Sequence, residues 1–228
     1  MDTLIFEESS FEQDGLKVYS GLASPYNKAG DSLLNYFSPK LSTICVLDGV
    51  SSSASPSESS ALCKKTLKNF FKSKRTFKID DYKELLKGLN KEMLDKCYSS
   101  TLSQIVFTED ALTVFTVGDS QVFLFDERES PVYESWPQNL GFSNSKDNPT
   151  ANVILNWIGN DHLRFEIAEF DKKVVKSGLI ISDGVLDFLE VKKMPLSEIK
   201  AALLKNFKES SSKNLLDDSS FIYFEFST

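Results

Sequence analysis

The sequence predicts an α+β fold: a four-layer α-β-β-α sandwich in which helices flank two central, mostly antiparallel sheets. Three observations support this fold class. Short β-branched and aromatic runs occur near both ends of the chain and in its middle. Two helical stripes of apolar residues lie between these runs, and a third stripe precedes the last run. Runs of strands around pairs of helices are typical of two packed sheets with helices outside.

The predicted strands are short apolar segments bounded by turn residues. In chain order they are Thr3–Glu7, Leu16–Leu22, Leu41–Leu47, Leu102–Thr108, Leu112–Val117, Val122–Phe125, Leu163–Ala168, Leu179–Ile181 and Phe221–Phe226. The first two are joined near Asp14–Gly15, a common hairpin sequence. Residues 127–150 are polar and contain three prolines, which predicts a loop.

Three amphipathic stripes predict helices. The first helix is predicted to begin at Ser55 and Pro56, with Glu58 completing a capping box. The second is predicted to begin near Asp80. The apolar faces contain Cys63, Leu67, Phe70 and Phe71 in the first helix, Tyr82, Leu86, Leu89, Met93 and Cys97 in the second, and Leu196, Ile199, Leu203 and Phe207 in the third.

Composition narrows the classes of function. The formal net charge of -7 makes a broad basic face for nucleic acid an unfavoured hypothesis. The three cysteines match no zinc motif and are interpreted as reduced thiols, which favours a cytoplasmic protein. The sole histidine, His162, is predicted to be a surface residue. No signal peptide and no stretch long enough to span a bilayer is evident, so no membrane association is expected.

Aspartates recur where the apolar runs end. Asp48, Asp119 and Asp183 each follow a predicted strand directly and lie beside a glycine, and Asp217–Asp218 precede the last strand. Taken singly, each aspartate is a common turn residue. Together they favour a site, because a carboxylate at a strand end can project into a cleft and the adjacent glycine allows the backbone to come close.

Convergence of these carboxylates would require a cation. Several carboxylates within a few ångströms cannot all stay ionised unless a positive charge compensates them. With no histidine or cysteine among them, the oxygen-only set favours Mg²⁺ or Mn²⁺ over zinc. Such cations activate water and bind phosphoryl oxygens, so the pattern predicts hydrolysis of phosphate esters.

The order of four motifs resembles the metal-dependent protein phosphatases of the protein phosphatase 2C type. The motifs are LDGV with Asp48, GDSQ with Asp119, SDGVLD with Asp183, and LLDDSSFIYFEF with Asp217. The apolar NWIG stretch before SDG is similar to a further family element. The resemblance runs from about residue 15 to 226. It implies a single phosphatase domain over residues 1–228, a compact member of the bacterial type with a shortened flap.

The resemblance also implies the roles of individual residues. The implied metal ligands are Asp48, the Gly49 carbonyl, Asp183, Asp217, Asp119 and Asp187, which would hold two or three ions of Mg²⁺ or Mn²⁺. Catalysis would depend on Asp48, Asp183 and Asp31 through a metal-bridging water, so no serine or cysteine nucleophile is needed. The implied partner is a phosphorylated protein, which would lose phosphate from serine or threonine.

Two departures from the family pattern concern the same region. Glycine occupies position 30, where the family usually has an acidic residue before Asp31, so one metal is predicted to bind more weakly than the other. The upstream arginine that binds substrate phosphate in the family has no counterpart, and Lys28 is the candidate substitute. These departures keep a second hypothesis open: a catalytically weak or inactive pseudophosphatase that acts as a protein-binding regulatory module. A metal-dependent nuclease is disfavoured by the acidic charge.

Overall fold

The computed structural model describes residues 5–13, 15–26, 28–140, 153–187, 189, 191, 194–210 and 217–227. These residues contain eleven strands and three α helices. The strands are β1 (Ile5–Gln13), β2 (Leu16–Ser24), β3 (Ser32–Tyr36), β4 (Ser42–Leu47), β5 (Leu102–Phe107), β6 (Ala111–Val117), β7 (Gln121–Phe125), β8 (Pro131–Glu134), β9 (Glu166–Asp171), β10 (Ser177–Ile181) and β11 (Ser219–Phe226). The helices are α1 (Pro56–Ser73), α2 (Ile79–Asp95) and α3 (Leu196–Ser210).

The strands form two antiparallel sheets. The first sheet has the order β1-β2-β11-β10-β7-β8, and the second has the order β3-β4-β5-β6-β9. Within the first sheet, β11 lies between β2 and β10, so the last strand of the chain pairs with strands from its beginning and its later part. Each strand therefore ends next to the start of a neighbour, which brings loops from distant parts of the sequence to the same edge.

The core is divided into three layers of apolar side chains. Between the sheets, Ile44, Val114 and Phe224 belong to a buried cluster with contributions from both sheets. Helices α1 and α2 cover the outer face of the second sheet with Phe71 and Tyr82, and α3 covers the first sheet with Leu203. This arrangement confirms the predicted four-layer α-β-β-α sandwich. None of the helices in the described residues is long and apolar enough to span a bilayer.

Two strands that the sequence did not predict are both edge strands. Strand β3 lies at the edge of the second sheet, and β8 lies at the edge of the first sheet within residues predicted to be a loop. Edge strands tolerate polar residues and proline, because one side of their backbone needs no partner. The loop prediction for residues 127–150 is therefore wrong at β8, and its remainder at 141–150 lies outside the described residues. Part of the predicted shortened flap also lies outside the described residues, and the flap stays a prediction.

Other element boundaries also differ from the prediction. Strand β9 begins at Glu166 instead of Leu163, and β1 extends to Gln13. Helix α1 begins at Pro56 as predicted, but the Ser55 side chain makes no capping hydrogen bond. Helix α2 ends at Asp95, so Cys97 is an exposed residue with φ of 56° in the following turn and not part of its apolar face.

We expect Phe71→Ala to lower the free energy of unfolding by about 3–5 kcal/mol, the usual cost of an aromatic side chain removed from a packed core. Phe71 is fully buried and contacts the rings of Tyr82 and Phe77. Phe70→Ala is the matched control, because this neighbour on α1 is only partly buried. Urea unfolding measures both losses, and equal losses would contradict the assigned core.

Candidate metal centre

The candidate site lies at one edge of the sandwich, where strands of both sheets begin or end. Asp48 follows β4 and Asp119 follows β6 in the second sheet, and Asp183 follows β10 in the first sheet. Antiparallel pairing places the ends of these strands beside the starts of β3, β5, β7 and β11. The fold therefore gathers the strand-end aspartates of both sheets at this edge.

Three of these carboxylates converge closely. One oxygen each of Asp48, Asp119 and Asp183 lies within 4.8 Å of the other two. Asp119 is buried, whereas Asp48 and Asp183 are partly exposed. Three like charges at this separation repel one another strongly, and a divalent cation between them would replace the repulsion by attraction.

Close backbone approach at two glycines sets this geometry. A Cβ on Gly49 would lie 2.1 Å from the Pro56 carbonyl oxygen, and a Cβ on Gly184 would lie 2.0 Å from the Asp218 carbonyl oxygen. Any side chain at these positions would push the main chain apart. The glycine after Asp48 thus lets the loop after β4 pack against the start of α1. The glycine after Asp183 lets the loop after β10 pack against the segment before β11.

A network of hydroxyl groups fixes the backbone around Asp48, Asp119 and Asp183, called here the aspartate triad. The Asp48 amide donates to Thr101 Oγ1 at 3.1 Å, and the Thr101 amide donates back to the Asp48 carbonyl at 2.8 Å. The Thr101 hydroxyl also lies 2.9 Å from the Ser120 hydroxyl. Since Ser120 follows Asp119 directly, this contact ties the loops after β4 and β6 together.

Two further aspartates lie beside the triad. Asp31 is buried, and its Oδ2 accepts a hydrogen bond from Ser220 Oγ at 2.6 Å. Asp218 is also buried, and its Oδ2 accepts from the Gly30 amide at 2.5 Å. The Oδ1 atoms of both residues are buried without a hydrogen-bond partner among the described residues. Such atoms cost free energy unless a donor or cation satisfies them.

Burial and like charge raise the pKa values of the clustered carboxyl groups. The pKa of Asp31 rises to about 7, chiefly because burial disfavours the charged form; the Ser220 hydroxyl opposes the shift, and the charge of Asp218 adds to it. Burial likewise raises the pKa of Asp119 to about 8. The pKa of Asp48 is raised well above its ordinary value, first by burial and then by the charges of Asp31, Asp183, Asp119 and Asp217.

This donor set fits a hard divalent cation. The available ligands are carboxylate and carbonyl oxygens, which suit Mg²⁺, Mn²⁺ or Ca²⁺ and not a tetrahedral zinc site. Metal binding requires the carboxylates to be ionised, and the raised pKa values show that the protein alone disfavours that state. The buried unpaired oxygens of Asp31 and Asp218 supply additional acceptors. The oxygens of the cluster are thus arranged as ligands for a divalent cation.

The other predicted site residues are placed less centrally. Asp217 is exposed, and its Oδ1 accepts the Asp218 amide at 2.8 Å, next to the triad but not in it. Asp187 ends the 3₁₀ turn Asp183–Asp187, and its side chain lies outside the described part. Lys28 lies 3.8 Å from Glu58 in an exposed ion pair. His162 is exposed, as predicted.

Sequence reasoning did not assign three polar residues that support the site. Asp218 was seen only as a neighbour of Asp217, and nothing in the sequence pairs it with Gly30, 188 residues away. Ser220 and Ser182 bind each other across β11 and β10, the Ser220 amide donating to Ser182 Oγ at 2.9 Å. A run of two aspartates and two serines before a buried strand was the only available indication.

Comparison with solved structures identifies the architecture. Three structures illustrate the match. Serine/threonine phosphatase Stp1 from Staphylococcus aureus has a TM-score of 0.72 at 12% identity, covering 100% of this chain and 98% of that one. RsbX in complex with magnesium has a TM-score of 0.70 at 18% identity, covering 97% and 100%. The Mycobacterium tuberculosis serine/threonine phosphatase PstP/Ppp has a TM-score of 0.65 at 14% identity, covering 99% of both chains.

The fold and the carboxylate cluster together define a two-sheet sandwich protein with a candidate metal centre at one edge. The sequence profile of the protein phosphatase 2C family matches residues 30–218, which is most of the chain. The chain therefore belongs to the protein phosphatase 2C family. No curated protein sequence gives a significant match.

We expect Asp119→Asn to stabilise the metal-free protein increasingly as pH rises from about 4 to about 8. A carboxyl group with a raised native pKa keeps its proton in the folded state while the unfolded state has released it, so stability falls as pH rises through this window. One such group contributes at most about 1.4 kcal/mol per pH unit. Urea unfolding in EDTA at several pH values measures the difference between variant and wild type.

Asp110→Asn is the control for this pH series. Asp110 is exposed in the turn between β5 and β6, at the opposite end of these strands from Thr101 and Asp119. Its substitution removes one exposed carboxylate at the far end of these strands, and its effect on stability is the reference for that of Asp119→Asn. A difference between Asp119→Asn and wild type that stays constant or shrinks with rising pH would contradict the repulsion described here.

Proposed function

We propose that this chain is a protein serine/threonine phosphatase that hydrolyses phosphoserine and phosphothreonine on proteins with Mg²⁺ or Mn²⁺. The observation that carries the proposal is the convergence of Asp48, Asp119 and Asp183 oxygens within 4.8 Å. Family membership and the phosphatase names of the structural neighbours support the same reaction. The neighbour RsbX, solved with magnesium, supports the choice of a hard divalent cation.

The proposed ligands follow from the placement of the residues. Asp48, Asp119 and Asp183 would hold the cations directly, with the Gly49 carbonyl beside Asp48. Asp217 and Asp187 would add carboxylates at the periphery, for a total of two or three ions. When bound, the cations would acidify water and stabilise negative charge on the phosphoryl oxygens.

Asp31 is the proposed proton acceptor. Its Oδ1 is buried and without a hydrogen-bond partner among the described residues, whereas Ser220 holds its Oδ2 in place. This orientation leaves one oxygen free to accept a hydrogen bond from the attacking water. Hydrolysis then forms a bond between the water oxygen and phosphorus and breaks the bond between phosphorus and the seryl or threonyl oxygen. The proton accepted by Asp31 passes to that oxygen, which leaves as the alcohol.

Lys28 is the proposed contact for the substrate phosphate. Its ion pair with Glu58 is exposed on both sides, with side-chain exposures of 67% and 54%. Exposed pairs of this kind contribute little stability, so an incoming phosphate can replace Glu58 at small cost.

A phosphoprotein in the cytoplasm is the proposed substrate, since Cys45 and Cys63 are free buried thiols, as expected in a reducing compartment.

We expect turnover of a phosphoserine peptide and of p-nitrophenyl phosphate to require added Mn²⁺ or Mg²⁺. Without a cation, the clustered carboxylates repel the phosphate dianion, and the water whose proton Asp31 would accept is not acidified. The assay measures phosphate release with each ion and after addition of excess EDTA. Hydrolysis that persists in EDTA would contradict the proposal, and cation binding without any hydrolysis would favour the pseudophosphatase.

We expect Asp48→Asn and Asp183→Asn each to reduce kcat to below about a tenth of wild type, a loss of more than about 1.4 kcal/mol of transition-state stabilisation. Each substitution removes one charge from the cluster and preserves the shape of the side chain. The folded metal-free variants should be at least as stable as wild type, because repulsion is relieved.

Asp110→Asn serves as the control for these two variants, because its side chain is exposed at the far end of the sandwich. Its kcat and its stability should match those of the wild type. Steady-state kinetics and thermal unfolding are measured together, so that loss of activity can be separated from loss of fold. Either cluster variant with more than a tenth of wild-type kcat would remove that residue from the proposed centre.

A further inference from the structure

Asp218 combines burial with an unsatisfied oxygen at the edge of the proposed centre. The residue is 8% exposed, and its Oδ2 accepts the Gly30 amide at 2.5 Å. Its Oδ1 is buried and without a hydrogen-bond partner among the described residues. A hydrogen-bonding role toward Gly30 uses one oxygen and leaves the other unexplained.

The surroundings of Asp218 are acidic as well. Asp31, 4% exposed, also has a buried Oδ1 without a hydrogen-bond partner among the described residues. Asp218 accepts the amide of Gly30, which precedes Asp31, and Asp31 accepts the hydroxyl of Ser220, two residues after Asp218, so the two side chains are neighbours. Two neighbouring buried carboxylates that each have one oxygen without a donor are costly in the absence of a cation.

The main chain beside Asp218 completes a set of oxygen ligands. A Cβ placed on Gly30 would lie 2.8 Å from Asp218 Oδ2 and 3.6 Å from the Gly49 carbonyl oxygen. The Asp218 carboxylate and the Gly49 carbonyl therefore both lie within 3.6 Å of one point. Asp48 is the residue that precedes Gly49, and the Gly49 amide donates to the Gly30 carbonyl at 3.2 Å.

Gly30 and Asp218 compete for the same space. Because an added Cβ would lie only 2.8 Å from Asp218 Oδ2, a side chain at position 30 cannot coexist with the observed position of this carboxylate. Glycine at position 30 lets the Asp218 carboxylate lie against the backbone, where an acidic side chain of residue 30 would otherwise project. The sequence alone predicts weaker binding of one metal here, because it shows that residue 30 lacks a carboxylate and does not show that Asp218 lies beside it.

We propose that Asp218 Oδ1 is a ligand of a divalent cation bound beside Asp48 and the Gly49 carbonyl, and that it supplies the carboxylate absent at Gly30. This inference rests on the proposed function for the presence of the cation. It assigns to Asp218 a role beyond acceptance of the Gly30 amide. Calcium-type and magnesium-type sites depend on the number of charged ligands, so loss of this one is expected to weaken one ion selectively.

The test is calorimetric titration of the metal-free protein with Mn²⁺. Asp218→Asn keeps an oxygen that can accept the Gly30 amide but removes the charge. We expect it to weaken one Mn²⁺ ion at least about tenfold, within the range seen when groups supporting a metal are removed, while the remaining ions bind within about twofold of wild type. Asp110→Asn, the exposed control, is expected to bind all ions as the wild type does.

A double variant separates the loss of charge from any damage to the fold. Gly30→Glu alone is expected to lower the melting temperature, since the new side chain meets Asp218 Oδ2. Gly30→Glu combined with Asp218→Ala removes the carboxylate that occupies this space and restores one at the neighbouring position. We expect this pair to recover the affinity for the weakened ion to within about threefold of wild type, a rescue that a purely structural role of Asp218 would not produce.

The outcomes distinguish this inference from the proposed function. Wild-type affinity for every ion in Asp218→Asn would overturn the role of Asp218, even if the enzyme hydrolyses phosphopeptide. Equal weakening of all ions, with no recovery in the double variant, would overturn it too. Failure of the wild type to hydrolyse phosphopeptide would remove the proposed function, and the Mn²⁺ titration would still decide whether Asp218 is a ligand. A wild type that binds no Mn²⁺ would overturn both.

Discussion

Repulsion among buried carboxylates is the constraint on which the functional edge of this protein depends. Burial raises the pKa of Asp48 most, and the charges of four other aspartates raise it further. A fold that holds such groups together without a cation must draw the required free energy from elsewhere. The apolar layers between and outside the sheets provide it, because they bury large side chains such as Phe71, Phe115 and Phe224 completely.

The rigidity of the cluster comes from backbone contacts at glycine and from short hydroxyl links. Gly49 and Gly184 allow two loops to contact other main-chain segments. These contacts fix the backbone positions of Asp48 and Asp183. Thr101 and Ser120 join the loops after β4 and β6. The backbone positions of these aspartates are therefore held together, and a bound cation or a bound proton relieves the repulsion among their carboxylates. This coupling makes metal affinity and pH two aspects of the same property.

Sequence patterns predicted the parts of the fold that depend on local burial. Strands β5, β6, β7 and β10 are buried along nearly all of their length and are rich in apolar and β-branched residues, and the aspartates that follow strands form a recurring pattern. Edge strands β3 and β8 were missed because their burial is partial and their composition is mixed. Asp218 was not assigned because its meaning depends on Gly30, which only the pairing of β2 with β11 and of β3 with β4 brings near.

The relation between residues 30 and 218 shows why a missing acidic residue is weak support for a decayed site. Metal affinity in an oxygen site depends on how many charged ligands reach the ion, whichever position of the chain supplies them. A glycine at position 30 removes one carboxylate from the sequence motif and at the same time opens the space in which Asp218 lies. In the role proposed for it, Asp218 supplies from the segment before β11 the carboxylate that position 30 lacks. Without a bound cation, a neutral residue in place of either buried aspartate would remove the cost of its unpaired Oδ1, so metal binding and the two aspartates are energetically linked.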